Sequence, residues 1–514
     1  MTKLLFEGSE WSYDTIQRIY EEAEKIAYKE LKLSWYPNRI EIITSEQMLD
    51  AYASIGMPVM YNHWSFGKKF LANHRDYYSG IQNLAFEIVI NSDPCITYIM
   101  ENNSATMQAL VISHAAFGHN HFFKNNQLFR EWTDPAGLME YLEFAKKYIR
   151  ECEEKYGEME VELILDAAHS LMNNSVDGSS KKKRFDPKTE SLKQKDRKEY
   201  FDSVYQELWT TVPNARKGSK KGQSVKDKML DLPEENILYF LERNSPKLAG
   251  WQREILRIVR NMAQYFHPQR QDKIMNEGCA TWVHYYIMNR FHEKGLINDG
   301  SFLEFLGSHS GVVLQLPFHH KYYNGINPYA LGFDMSKDIV RIATNPTDED
   351  REWFPEIAGS KDPIEVLKQA WRDHRDESFI SQYLSPKLMR EWRMFSLEDD
   401  SALPYLTVKK IHDERGFREV RRTLSQSFNV SSMLPHVEVT GVDLQGDRIL
   451  ELTHYVNNGQ FLDYSDAKET VAHIANLWGY PVHLKQVPDK GVESSTIMVA
   501  PAVDLSPLDS LEFN

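Results

Sequence analysis

A mainly α-helical body followed by a smaller C-terminal α+β domain is the fold class that this 514-residue sequence predicts. Three observations carry the prediction. Apolar residues recur at three- and four-residue spacing through about the first 400 positions, the mark of helices with one buried face. After that point the pattern changes to short alternating runs between helical stretches. The composition is that of an ordinary globular protein, 42% hydrophobic and 26% charged, and no apolar run is long enough to span a bilayer.

The first element is a helix over Thr15–Tyr28, where Ile16, Ile19, Tyr20, Ala23, Ile26 and Ala27 share a face. Segments 98–123, 136–172, 247–265, 274–294 and 363–382 read the same way, the last opened by Asp362 as cap and Pro363 in the first turn. From 173 to 232 the pattern lapses into stretches such as "SSKKKRFDPK" and "NARKGSKKGQ", which predict a basic, exposed insertion able to meet nucleic acid or an acidic partner. Further on, "YLTVKKIHD" reads as a strand and "FREVRRTLSQSF" as a helix; "HVEVTGVDL" and "RILELTHYV" form a strand pair, followed by the helix "SDAKETVAHIANLW" and the strand "PVHLKQV". That βαββαβ order is ferredoxin-like. The expected organisation is therefore two helical parts of one core, 1–172 and 233–400, separated by the insertion 173–232 and followed by an α+β domain over 401–514. A module of that last kind is more suited to docking, regulation or dimerisation than to catalysis.

Several classes are excluded early. Cys95, Cys152 and Cys279 are far apart and form no CxxC pair, so a disulfide framework or a thiolate zinc finger is not available. A formal net charge of −14 argues against general nucleic-acid binding. The N-terminus carries acidic residues by Glu7 and lacks the apolar stretch of a signal peptide, which points to the cytoplasm. There is no Walker loop, dinucleotide glycine fingerprint or nucleophile elbow.

Any metal must then use imidazole and carboxylate, and three constellations offer them. "SHAAFGHNHFFKNN" contains His114, His119 and His121. On an undistorted helix His114 and His121 lie within about 20° of each other, while His119 points about 140° away from His114, on the face of Gln108 and Glu101. A π-bulge, which makes positions five apart coincide, would bring His114 beside His119, and Gly118 is the natural place for it. "MNEGCATWVHY" puts Glu277 and His284 on one face, two turns apart, a donor pair suited to zinc, iron or manganese. "EVELILDAAHSL" aligns Glu162, Asp166 and His169; a carboxylate-x-x-His step is also the unit of di-iron bundles. The surrounding Phe117, Phe122, Phe123, Trp282, Tyr285 and Tyr286 are expected in the core. Loops around His63, His267, His319 and His320 are candidate walls of a substrate cleft.

The chain resembles the stage V sporulation protein R family of bacteria. "NHWSFGKKF", "NNSATMQALVISHAAFGHNHFFKNN", "LDAAHSLMNNSVD", "NEGCATWVH", "GINPYALGF" and "LWGYPVHL" carry the resemblance in order along nearly the whole sequence. It implies an association with spore cortex formation, occurrence also in bacteria without spores, and genetic linkage to a serine protein kinase and a von Willebrand factor A-like protein. It implies no reaction. "NEGCA" is also similar to the NEG-x-A segment of gluzincin aminopeptidases, in which Glu277 would match the third zinc ligand. In those enzymes two histidines are four apart with a general-base glutamate between them; here the spacing is five and Ala115 stands in the glutamate's place. Hydrolysis needs another base, and Glu101 is the upstream carboxylate on the expected His119 face.

The leading expectation is a cytoplasmic metalloprotein that holds zinc or iron through His114, His119 or His121 with Glu277 and His284, and hydrolyses an amide or peptide bond. Two alternatives stand beside it. A non-haem iron or di-metal oxidoreductase would also use Asp166 and His169, and a non-catalytic adaptor in a kinase-linked stress pathway would use the C-terminal domain and the basic insertion.

Overall fold

The computed structural model describes residues 3–54, 57, 60–78, 86–176, 230, 232–398, 407–410, 412–430, 434–443, 446–457, 459–488 and 495–502. Nearly all of the expected basic insertion lies outside these residues. The chain divides into two compact units, one of residues 1–146 and 268–430, the other of 147–267 and 431–514. Each is discontinuous in sequence.

The first unit begins with α1 (Tyr13–Lys29), capped by the Ser12 side chain on the Thr15 N–H; Ile16, Ile19, Ala23, Ile26 and Ala27 are buried. A small sheet follows, built from β1 (Asn38–Ile43), β2 (Glu87–Ile90) and β3 (Cys95–Met100) in the order β1-β3-β2, with β1 parallel and β2 antiparallel to β3. Side chains alternate between its faces. Ile40, Ile42, Val89 and Ile99 meet the main helical core. Ile43, Ile88, Tyr98 and Met100 meet a second cluster with Met48, Leu49, Phe70 and Tyr77. The last four come from α2 (Ser45–Ala53) and α3 (Trp64–Tyr78).

The helix expected over 98–123 is shorter and differently built. Cys95–Met100 is β-branched and aromatic enough to take the central strand, and Ser104 then caps α4 (Ala105–Ile112) through the Met107 N–H. A π-helical turn, Ser113–His119, comes next, then α5 (Asn120–Asn125) and α6 (Gln127–Trp132). The helix expected over 136–172 is split at Gly157, whose φ of +96° ends α7 (Leu138–Tyr156) before α8 (Glu158–Ser170).

Next in chain order are α9 (Ile237–Asn244) and α10 (Gly250–Gln271). The axis of the first unit is α11 (Lys273–Glu293), apolar around most of its circumference, with Ile274, Met275, Cys279, Val283, Ile287, Met288 and Phe291 buried. Around it stand α12 (Asp299–Val312), α13 (Pro328–Thr344), α14 (Asp348–Trp353), α15 (Pro363–Asp373), α16 (Asp376–Tyr383) and α17 (Pro386–Glu391). Segment 363–382 is thus two helices, the first capped by Asp362 through the Glu365 N–H.

The mainly α body and the C-terminal α+β domain are as the sequence predicts, with a different strand order. β5 (Thr407–Lys410) pairs only with β4 (Ser396–Glu398) among the described strands. α18 (Glu414–Ser427) buries Phe417 and Val420 in the core of the first unit. The C-terminal sheet is β6 (His436–Val442), β7 (Leu450–Val456), β8 (Val482–Pro488) and β9 (Ser495–Val499), in sequential order, with α19 (Tyr464–Trp478) linking the parallel pair β7 and β8. This is ββαββ rather than βαββαβ. The cause is packing: the apolar face of α18 is taken by the first unit. In the second unit the sheet is joined by residues far upstream, through the Glu234–Val439 backbone pair and the Ser245 hydroxyl donating to Leu477 O.

Candidate metal centre

His114 and His119 are five residues apart in the π-helical turn, and its wider pitch puts both rings on one side, with centroids 4.6 Å apart. Ala115 and Phe117 point into the core, fully buried. Gly118 is required where the turn crosses α11, because a Cβ there would stand 2.5 Å from the Ala280 Cα. One residue after the catalytically suggestive Glu277, Gly278 meets the backbone of Gly332 on α13, and a Cβ on Gly278 would lie 2.5 Å from the Gly332 Cα. These close crossings set α11 at the depth at which Glu277 reaches the histidines.

The Glu277 Oε2 stands 3.6 Å from His119 Nε2 and 3.9 Å from His114 Nε2. That oxygen is buried and has no hydrogen-bond partner among the described residues. The Tyr329 hydroxyl, in the first turn of α13, donates to the same carboxylate. A second carboxylate comes from the sheet. Strand alternation turns Glu87 to the face of Val89, toward the helical core, and its Oε1 is 3.6 Å from His114 Nε2. Glu87, His114 and His119 offer donor atoms that all lie within 4.8 Å of one another.

The other ring nitrogens are held from behind. His119 Nδ1 donates to Asn276 Oδ1 at 2.9 Å, and His114 Nδ1 is 2.9 Å from His284 Nδ1. In "NEG", therefore, the asparagine orients one histidine, the glutamate faces both, and the glycine permits the crossing. Burial, and after it the neighbouring histidines, hold His114 well below the ordinary imidazole range. Burial and then Glu277 push Glu87 up to about 8, and burial raises Glu277 as well. A neutral imidazole at His114 beside two carboxylates that resist ionisation is a set that a cation would relieve. The histidine side chains are 4% and 8% exposed and the carboxylates 18% and 17%, so the cluster is shielded from solvent, most closely at the imidazoles.

The remaining candidate residues fall elsewhere. His121 lies outside the cluster: its Nδ1 is 2.9 Å from the Ser34 carbonyl oxygen and 3.0 Å from the Asn125 side-chain nitrogen, and burial lowers it to about 4. His284 supports His114 from behind. Glu101 is exposed on the turn after β3, so its expected alignment with His119 along one helix does not arise, and with it goes the base role. Asp166 and His169 are on α8, in the second unit, whereas every residue of the cluster belongs to the first. His63 is buried at the start of α3, 2.6 Å from the Ser65 hydroxyl. His267 is buried on α10 of the second unit, and His319 and His320 are exposed in the loop before α13.

Sequence reasoning missed Glu87, Asn276, Tyr329 and His309. Glu87 left a signal as the one charge in the apolar run "FEIVI", and Asn276 as the first residue of "NEG".

Comparison with known proteins agrees with the extent of the motifs. Residues 10–433 match the model described as SpoVR like protein, and 435–489 match the SpoVR-like C-terminal domain. The chain is 50% identical over 490 residues to the Uncharacterized protein YcgB of Escherichia coli (strain K12), covering 95% of each. No solved structure matches. The break between the two family models falls beside the unit boundary after Val430, and the histidine and NEG segments both lie in the larger match. On these matches, which together span nearly all of the sequence, the chain belongs to the SpoVR family.

Proposed function

We propose that the first unit holds a single zinc or iron(II) ion through His114, His119 and Glu277, and uses it to hydrolyse an amide or peptide bond. The observation that carries the reading is Glu277 Oε2, buried, without a hydrogen-bond partner among the described residues, and facing both imidazole Nε2 atoms. Donors about 2.0–2.1 Å from one tetrahedral ion stand about 3.3 Å apart, so separations of 3.6 and 3.9 Å need to close by about 0.3 and about 0.6 Å. Three protein ligands of the His, His, Glu type leave one position free, the pattern of catalytic rather than structural zinc.

Such an ion supplies a Lewis acid and makes water a stronger acid. The residues do the rest. Glu87 is held near the pH at which a carboxylate both takes and returns a proton, which makes it the acid–base group in place of Ala115. Tyr329 holds the Glu277 carboxylate and Asn276 holds His119. The resemblance to a sporulation family makes cell-wall peptides the first substrates to assay.

Elemental analysis of the purified chain tests the reading. Wild type is expected to carry stoichiometric metal, Glu277→Gln to lose it, and Glu87→Gln to retain the metal while losing hydrolysis. A wild-type chain that takes up neither zinc nor iron overturns the proposal. Loss of metal in Glu87→Gln would make Glu87 a ligand and remove its acid–base role.

A further inference from the structure

Behind His114 the histidines continue. His284, on α11, brings Nδ1 to 2.9 Å from His114 Nδ1, and its Nε2 is 2.9 Å from His309 Nδ1 on α12. His284 and His309 are 1% and 5% exposed. His309 is fixed among the rings of Tyr285, Phe305 and Phe333, with centroids 4.9, 5.7 and 4.8 Å away. Resting on the metal reading above, we infer that His284 and His309 are positioning residues that form with His114 a single file of imidazoles fixing the His114 tautomer.

The argument is one of counting protons. A neutral imidazole has one N–H donor and one acceptor nitrogen, and each contact in the file accommodates one proton. If His114 keeps its Nε2 lone pair for an ion, its proton is on Nδ1 and is donated to His284 Nδ1. His284 then carries its own proton on Nε2 and donates it to His309 Nδ1, which leaves the His309 proton on Nε2. The reverse order places a proton on His114 Nε2 and closes that nitrogen to an ion. The choice at one end therefore fixes all three rings.

Two consequences follow from the same geometry. His284 is not a ligand, because both of its nitrogens are already engaged. The two proposed histidine ligands are also set by different means. His119 faces the amide oxygen of Asn276, which only accepts, so its tautomer is fixed by one partner, whereas His114 has both the Ala280 backbone and, through His284, the file of rings beside it. Partners behind metal ligands usually matter to affinity by 10- to 100-fold.

Cobalt(II) titration of the full-length chain, read by affinity and by the visible ligand-field bands, is the test. His309→Leu keeps the volume but removes the acceptor and is expected to weaken cobalt binding about ten-fold and shift the bands. His309→Asn puts an amide oxygen near the position of Nδ1 and should restore both. Wild-type affinity and spectrum in His309→Leu overturn the file and leave the metal reading standing. A wild-type chain that binds no cobalt overturns both. Should His309→Leu fail to fold, nitrogen-resolved imidazole NMR of the zinc-loaded wild type decides. A protonated Nε2 and bare Nδ1 on His309 are expected, and the opposite pattern refutes the inference.

Discussion

Asp272 occupies the N-cap position of α11 without capping it; both its carboxylate oxygens are buried and have no hydrogen-bond partner among the described residues. The task falls to Asp376, from the start of α16, which accepts the Ile274 and Met275 N–H groups at 2.9 Å each. Burial, and after it Asp376, raises Asp272 well above the ordinary carboxylate range, and burial pushes Asp376 up to about 7. For a carboxyl raised in the folded state, the stabilising contribution is complete below the unfolded value of about 3.9 and is lost as pH rises through the folded one. This pair therefore loses stability as pH rises above about 4, the Asp376 share of it through about pH 7. Asp272→Asn removes one of the two titrations, so its urea midpoint relative to wild type should rise as the pH is raised above about 4. A difference that does not change with pH would refute this account. Individual side chains are where sequence reading had least to work with. Asp376 and Glu87 act across more than 100 residues of chain, on Ile274 and Met275 and beside Glu277, and no local pattern announces such partners.

Among elements, the meeting of the π-helical turn, α11 and α13 decides whether a site exists. Gly118, Gly278 and Gly332 allow backbones to touch, and a Cβ on Gly332 would overlap the Ile274 carbonyl oxygen. Gly278→Ala should destabilise the chain by about 1–3 kcal/mol, because the neighbour it meets is backbone that cannot rotate away. It should also weaken metal uptake, since Glu277 moves with it. Gly307, mid-helix on α12, has nothing within 4 Å of its Cβ position, so Gly307→Ala should be neutral or stabilising by up to about 1 kcal/mol, with metal uptake unchanged. Denaturant midpoints and metal content of the two variants check the contrast, and equal behaviour would remove the crossing from the explanation. The π-helical turn was legible because histidines five apart cannot share an α-helical face, and Gly118 marked the place. The start of α4 was not. Residues 98–100 belong to a strand whose apolar pattern also fits a helix, and only the partner strands settle which.

On the scale of the whole molecule, the helical body and the change of pattern near residue 400 were legible, while the path of the chain between the two units was not. α18 follows a strand, as the expected ferredoxin-like order requires, yet its apolar face is buried in the first unit. The second unit draws α8, α9 and most of α10 to the C-terminal sheet, where Phe240 packs against Trp478 with centroids 5.9 Å apart. Those pairings span more than 200 residues and leave no local mark. They carry a prediction about truncation. A chain ending at Val430 keeps every donor of the candidate centre, since all come from 87–119 and 276–284. It loses β6–β9 and α19, and with them the Trp478 ring that packs on Phe240 and the acceptor of the Ser245 hydroxyl. The described parts of this segment, 147–176 and 232–267, are then left with buried side chains such as Phe240 stripped of partners, a state prone to cleavage and aggregation. The truncated chain should therefore bind metal with near wild-type stoichiometry while proteases cut it within 147–267 far faster than in the intact protein. Loss of metal together with global unfolding would mean that the first unit depends on the second for its fold. Protection of 147–267 in the truncated chain would mean that this segment holds its own core without the C-terminal sheet.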